Sequence, residues 1–499
     1  MRRSDRFSWL EQRLSGLAPL PVFRVVATDV KANRWFSIAM ALMVAIVIFA
    51  PVFDPDVWWI AAAGRDMMRL GAVPRSNAYG FLQPDFPWVM HEWALGPIFA
   101  WGAAHFDARF FSVWAALTML LGGSVFYRHV QQRILPPVVR FVWWFITIKC
   151  CGERFISARP AGLSLLLAAA VVTLTFDRPF SRARSLLAVS LVLLWTQLHG
   201  SFPLGVALLA LAVITETDRR GERALVAAAA AALTLVNPYG WKLHALVIDY
   251  ALARQEPFRS IRQNIVDFRP IWSSHVSAFS WLACACFAFL VLFVAAHGSN
   301  RERIRALFCA GLAVQAVLHQ RELYTFVAVS SMLLAASFCR TVERPRALPQ
   351  AIIFPAIAAL LLSFSIRLFV HRDRDAWVGD VSVGPGLTQV LRAIPPHSRV
   401  FTVFLASGMA LWELTPHATG VFYDARNDCY PAWVMRDFAS LTTAKPDTLA
   451  ILSRTHTDWL VVENDDRLRL LLTKAPSFER KQVSKRWELW ARRADVPSP

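Results

Sequence analysis

Charged residues are scarce in this sequence: Asp, Glu, Lys and Arg make up 18% of the 499 residues, against about 25% in ordinary soluble domains. Acidic residues are the scarcer sign, 35 against 53 Lys and Arg, giving a formal net charge of +18. Cysteine is also sparse. Of seven, six lie in or beside apolar stretches, where a free thiol behaves as a small hydrophobe, and the C-terminal part holds only Cys429. That excludes a disulfide scaffold. Cys284 and Cys286 fall on different faces of a helix, which makes a poor metal pair. There is no Walker A loop, no His-Glu-x-x-His helix and no Gly-x-Ser-x-Gly elbow, so nothing points to ATP hydrolysis, zinc proteolysis or serine hydrolase chemistry. No cleavable signal peptide is evident, because a basic stretch of about 35 residues precedes the first apolar block.

What the chain has in abundance is hydrocarbon. Apolar residues reach 56% and the mean hydropathy is +0.40. They come in blocks such as Ile38–Phe53, Phe279–Ala296, Phe326–Phe338 and Ala351–Phe364. Blocks near twenty residues match the ~30 Å of a bilayer core. A net charge of +18 could signal nucleic-acid binding, but its placement argues otherwise. From His371 onward Lys+Arg and Asp+Glu number 17 and 15, so +16 of the +18 belongs to the apolar part. There it sits in short loops, as expected of loops held at a cytoplasmic face. No nucleic-acid partner is expected.

The positive-inside rule orders the blocks. A basic N-terminal segment, 1–34, is placed in the cytoplasm, with Phe7, Trp9, Leu10, Leu14 and Leu17 suited to an interfacial helix. Basic loops around Arg128, Arg178, Arg219, Arg301 and Arg340 are assigned to the same side. One hairpin fits between each successive pair, which gives about eleven spans within 35–370. The hairpin tips Glu153–Pro160, His199–Pro203, Asn237–Val276 and His319–Glu322 then face outward, as does a first loop over 54–108. The short apolar stretch Trp93–Ala104 is assigned to that loop as a surface helix, since crossing would invert every later loop. From 371 to 499, β-rich runs (Arg399–Phe404, Gly420–Tyr423, Asp458–Val462, Trp487–Trp490) alternate with helical patterns, which reads as an extracytoplasmic α/β domain.

Candidate functional residues gather at the expected outer ends. Asp54 and Asp56 stand where the first span leaves hydrocarbon, a costly place for a carboxylate and so a functional one. An Asp-x-Asp pair can hold a divalent cation such as Mg or Mn, or one Asp can act as general base. The structural alternative is that one caps the helix Val57–Leu70. His91 and Glu92 could bind substrate, or simply cap the surface helix with Trp88 and Trp93 as interfacial anchors. Arg159, His199, Arg321 and Glu322 occupy turns of a few residues between apolar helices, and Arg and His there suit a lipid phosphate. Asn237–Gly240 reads as a helix terminator. The segment Tyr423–Asp428 follows an expected strand and reads first as a structural turn.

Taken together, Asp54-Pro55-Asp56-Val57-Trp58-Trp59 after the first span, the long external loop, Trp195-Thr196-Gln197-Leu198-His199-Gly200 and the external α/β tail resemble the GT-C superfamily of membrane glycosyltransferases. The resemblance is in particular to bacterial members related to the protein-mannosyltransferase and lipid A sugar-transferase groups. The resemblance implies a mostly α transmembrane bundle in a bacterial inner membrane, acting on a polyprenyl-phosphate sugar donor. It places catalysis or metal binding on Asp54 or Asp56. A transporter of lipid-linked substrates and a non-catalytic membrane scaffold are the alternatives. The first would spread polar groups along the spans; the second would tolerate loss of both carboxylates.

Overall fold

A computed structural model describes residues 54–131, 137–273, 278–341, 386–417, 419–484 and 486–493, together with positions 38 and 41. Most of the expected first span, the whole expected last span and the N-terminal segment lie outside the described residues.

From residue 54 the described residues begin with α1 (Pro55–Leu70) and α2 (Leu95–Phe106). Helices then stand where the second to tenth spans are expected: α3 (Ala108–Gln131), α4 (Pro137–Ile156), α5 (Pro160–Thr175), α6 (Arg182–Leu198), α7 (Pro203–Thr215) and α8 (Arg220–Leu233), then, after a long tip, α11 to α13. That tip contains two helices of its own, α9 (Trp241–Leu252) and α10 (Phe258–Asn264); the last three are α11 (Ala278–His297), α12 (Asn300–Leu318) and α13 (Leu323–Thr341). Proline at the first position of α4, α5 and α7 sets their starts, because its missing N–H is an orphan there anyway. A capping box of Ser299 and Glu302 opens α12. Ala108–His129 and Phe279–His297 are long and apolar enough to cross a membrane; Val142–Gly152, Pro160–Thr175 and Pro203–Thr215 are apolar but shorter.

The C-terminal part comprises α14 (Leu387–Arg392), β1 (Arg399–Thr402), α15 (Phe404–Leu414), β2 (Gly420–Val421), α16 (Ala432–Thr442), α17 (Thr448–Arg454), β3 (Trp459–Glu463), α18 (Arg467–Leu472), β4 (Phe478–Val483) and β5 (Trp487–Arg492). The strands form one sheet in the order β2-β1-β3-β5-β4, parallel on the β2–β1–β3 side and antiparallel across β3–β5–β4. The sequence anticipates four of these strands but not β4, whose Glu479, Arg480 and Lys481 hide its alternation. It also runs β1 too far, since Phe404 begins α15.

Two close approaches fix how the parts meet. A Cβ on Gly64 would lie 1.8 Å from the carbonyl oxygen of Gly96, so α1 and α2 cross with backbones touching. A Cβ on Gly408 would lie 2.0 Å from the carbonyl oxygen of Pro55, so α15 of the tail lies directly on the start of α1. Arg65 of α1 reinforces this, donating to the Trp412 carbonyl (2.8 Å) and to Thr415 Oγ1 (2.7 Å). The edge strand β2 also bonds to the first loop, Val421 N–H donating to the Tyr79 carbonyl at 2.9 Å and Phe81 N–H to the Val421 carbonyl at 3.2 Å.

Two expectations are corrected. Trp88 is no interfacial anchor: it is 3% exposed, packed edge-on against Trp59 and Tyr79. Arg301 and Arg305, expected in a short basic loop, lie instead in the first turns of α12. Arg305 is fully buried and pairs with Glu216 (2.5 Å) and Asp177 (3.0 Å), and Arg301 joins the same two acids.

Gly408→Ala is expected to lower stability by about 1–3 kcal/mol through overpacking at Pro55. Gly221→Ala, where an added Cβ meets nothing within 4 Å, serves as the control. Thermal unfolding in detergent reads both; an unchanged melting temperature for Gly408→Ala would contradict the docking described.

Candidate active site

The site begins with the capping of α1. Asp54 is the N-cap residue, its Oδ1 accepting the Asp56 N–H at 2.9 Å. This leaves Oδ2 to face Arg159, whose Nε donates to it. Asp56 lies in the first turn, where a carboxylate also complements the helix dipole. Its Oδ1 accepts from Trp59 Nε1 at 3.1 Å and its Oδ2 lies 3.2 Å from Arg159 Nε. One guanidinium therefore sits between the two carboxylates, in the space that a cation shared by both would need.

Arg159 owes its position to Pro160, which starts α5 and holds the preceding residue extended. Its far side reaches Asp267 Oδ2 at 3.6 Å. Asp267 is also approached by Arg154 at the end of α4, with Nη1 and Nη2 at 3.4 and 3.5 Å. Arg154 lies over the ring of Tyr324, and Arg321 over the ring of Phe268, 4.4 Å from its centroid. Arg321 has a long contact with Glu322 (3.7 Å), and Glu322 is otherwise turned to the exposed side. Guanidinium donors of Arg154 and Arg321 thus remain for an incoming anion.

The electrostatics follow from this crowding. Asp54 is 5% exposed. Burial pushes its carboxyl up to about 7, with Asp56 adding to the rise and Arg159 opposing it. Burial also acts to raise Asp267, but Arg154, Arg159 and Arg321 outweigh it and hold that carboxyl below its usual range. Arg159 is pushed upward: burial works against its charge, and Asp56, Asp54 and Asp267 more than offset that.

A second group adjoins the first. His91 Nε2 lies 2.7 Å from Glu92 Oε1, and the rings of His91 and His199 are 5.7 Å apart between centroids. Burial disfavours protonation of His91, yet the Glu92 carboxylate reverses this and raises it. His199 closes α6 and is lowered well below the usual histidine range, first by burial and then by His91, Arg321, Arg154 and Arg159. Arg159, which pairs with Asp54 and Asp56, is thus close enough to act on His199. Near them a groove of about 490 Å³ opens among Trp93, Leu193, Gln197 and Pro238.

The tail supplies one wall. Asp424 and Arg426 form an ion pair with neither side chain exposed, their closest approach 2.6 Å. Arg426 also donates to Asn77 Oδ1 at 2.6 Å and stacks on Trp88 and Tyr79. This buried pair drives Tyr423–Tyr430 into the first loop, so the segment is more than a solvated turn. It brings in Asp428, whose carboxyl burial pushes up to about 7 despite His91.

The candidates named from sequence therefore come together: Asp54, Asp56 and Arg159 in contact, His91, Glu92 and His199 adjoining, and Arg321 within electrostatic reach of Asp267, His91 and His199. Glu322 adds only its contact with Arg321. Sequence reading passed over Asp267 and Ser164, whose Oγ lies 2.9 Å from His199 Nδ1, and named Asp428 only within a segment read first as a structural turn. Asp267 had no apolar frame to mark it in a tip of forty residues, and Ser164 sits inside an apolar helix.

No protein-family model matches the sequence, and no curated protein matches it either. The fold is shared with several solved structures. Among solved structures, the chain is similar to the archaeal oligosaccharyltransferase AglB from Archaeoglobus fulgidus, in complex with an inhibitory peptide and a dolichol-phosphate. The TM-score is 0.55 at 10% identity, covering 93% of this chain and 74% of that one. It is similar also to ArnT from Cupriavidus metallidurans in the apo state, with TM-score 0.54 at 12% identity over 95% of this chain and 100% of that one. The arabinofuranosyltransferase AftD from Mycobacteria gives 0.51 at 16% identity, over 92% of this chain and 41% of that one.

Arg426→Met would strand the Asp424 carboxylate in the interior, a loss expected to cost about 3–5 kcal/mol. Limited proteolysis of the purified protein should then cut the 419–431 segment, which is expected to stay intact in wild type. Equal resistance in the two proteins would show that the pair does not hold the tail in place.

Proposed function

We propose that this chain transfers a sugar from a polyprenyl-phosphate donor to an acceptor hydroxyl on the extracytoplasmic side of a bacterial inner membrane. The observation that carries this reading is the convergence, at one end of the bundle, of a buried carboxylate tuned toward neutrality with three arginines from different helix ends. The GT-C fold supports it, and so does the dolichol-phosphate bound to AglB, an anionic isoprenoid lipid. The remainder of the reading follows the charge pattern: about eleven spans in 35–370, a cytoplasmic N-terminal segment, and an external domain in 371–499.

In this reading Asp54 is the general base. It takes the proton of the acceptor hydroxyl as that oxygen attacks the anomeric carbon. The bond from that carbon to the phosphate oxygen breaks, and the phosphate leaves with the electron pair. Arg154 and Arg321 meet the charge that accumulates on it, the kind of preorganised stabilisation that contributes most to catalysis. Arg159 keeps Asp54 oriented, and Asp56 shares that arginine. The groove beside Trp93 and Pro238 takes the start of the isoprenoid chain.

A base with a pKa near the working pH is the efficient choice. Because Asp54 is raised to about 7, it is protonated below that value and becomes competent as pH rises through it. The rate should therefore climb through about pH 7. Asp54→Asn is expected to lower turnover by about 10²–10⁴-fold in proteoliposomes supplied with polyprenyl-phosphate sugars. In Arg159→Gln the lost positive charge raises Asp54 further, so the rising limb moves to higher pH. Turnover by Asp54→Asn at the wild-type rate, or an Arg159→Gln limb that stays in place, would refute the assignment.

A further inference from the structure

The group His91, Glu92 and His199 has a geometry that the transfer chemistry leaves unused. One donor atom from each residue lies within 4.8 Å of the others. Zinc bonded to nitrogen and oxygen at about 2.0 Å holds its tetrahedral ligands about 3.3 Å apart, so a small inward movement of side chains would close the set. His91 and Glu92 stand at 2.7 Å, so an ion would part this pair by about 0.6 Å while His199 moves toward them.

Three further features prepare the group for an ion. First, the His199 ring is held from behind: its Nδ1 lies 2.9 Å from Ser164 Oγ and 2.8 Å from Ser201 Oγ. Both hydroxyl oxygens are in turn fixed by the indole N–H of Trp195, at 3.1 and 3.2 Å. A histidine anchored through Nδ1 presents Nε2, and this outer hydrogen bonding is the usual support of a metal-bound imidazole. Second, Glu92 is 6% exposed and its Oε2 has no hydrogen-bond partner. An unpaired carboxylate oxygen in the interior is costly unless something positive meets it. Third, Asp428 Oδ2 is likewise buried and without a partner, in a residue 9% exposed whose charge is felt at His91. Gly200 makes the approach feasible, since a Cβ there would lie 3.0 Å from the His91 ring.

We propose that His91, Glu92 and His199 form a binding site for one divalent transition-metal ion, zinc being the best match, with Asp428 balancing its charge. Two imidazoles and a carboxylate favour zinc or cobalt over magnesium, which prefers oxygen donors. The expected metal position thereby moves from Asp54 and Asp56, where Arg159 already supplies the positive charge, to the neighbouring histidines. The site adjoins the proposed transfer centre, but its occupancy does not depend on that assignment.

The test uses the full-length protein purified in detergent, stripped with a chelator and titrated with Zn²⁺ or Co²⁺, without sugar donor. Elemental analysis should find about one ion per chain, and Co²⁺ should give the visible absorption of a four-coordinate nitrogen and oxygen site. His199→Gln and Glu92→Gln should lose this binding while melting like the stripped wild type, which separates ligand loss from misfolding. Ser164→Ala and Asp428→Asn should weaken it by about 10–100-fold. Asp54→Asn should retain it. Absence of a bound ion in wild type, or retention by His199→Gln with loss in Asp54→Asn, would overturn the proposal. Since no turnover is measured, failure here leaves the transferase reading standing, and failure of that reading leaves this site standing.

Discussion

The arrangement depends on one guanidinium. Arg159 touches Asp54 and Asp56 from the start of α1 and reaches Asp267 from the long tip before α11. Three carboxylates from two distant stretches would repel one another in a poorly screened interior, where charges act more strongly than in water. Arg159 converts that repulsion into cohesion and thereby sets where α5, α1 and the tip can sit. It also leaves the acids unequal. Asp267 gains two more arginines and stays ionised, whereas Asp54 gives up solvent and is drawn toward neutrality. A pair of acids separated in this way by environment is a recognisable arrangement for proton transfer.

The same ion-pair logic recurs in the tail. Asp424 and Arg426 are buried together, and such a pair in the interior contributes little net stability against an apolar alternative. Its consequence is positional. Arg426 must remain with Asp424, Asn77, Trp88 and Tyr79, so the segment carrying Asp428 cannot withdraw without exposing an unpaired charge. Together with Gly408 against Pro55, this makes the C-terminal sheet part of the site's wall. At the other end of the bundle, Arg301 and Arg305 with Asp177 and Glu216 tie α12 to the ends of α5 and α7.

Much of this was legible in the sequence, for identifiable reasons. Long apolar blocks between basic loops marked most of the helices, and the alternation of β-rich and helical runs marked most of the tail. The Asp54–Asp56 pair was legible because carboxylates beside hydrocarbon need a cause, and Arg159, His199 and Arg321 because turns of a few residues rarely hold such groups. Asp267 was not, since its importance comes from three arginines that arrive from elsewhere. Asp428 was seen within its segment, but a run of Asp and Asn after a strand describes an ordinary turn equally well; only burial distinguishes them. Local spacing also could not tell that Arg301 and Arg305 are paired, or that Trp88 faces inward.

The central claim is that the arginines gathered at these helix ends bind the phosphate of an isoprenoid lipid. Native mass spectrometry of the purified protein with a short polyprenyl phosphate tests it most directly. Saturable binding of one lipid per chain, lost in the folded double variant Arg154→Gln/Arg321→Gln, is the expected result. Equal binding by the double variant and wild type would contradict the account.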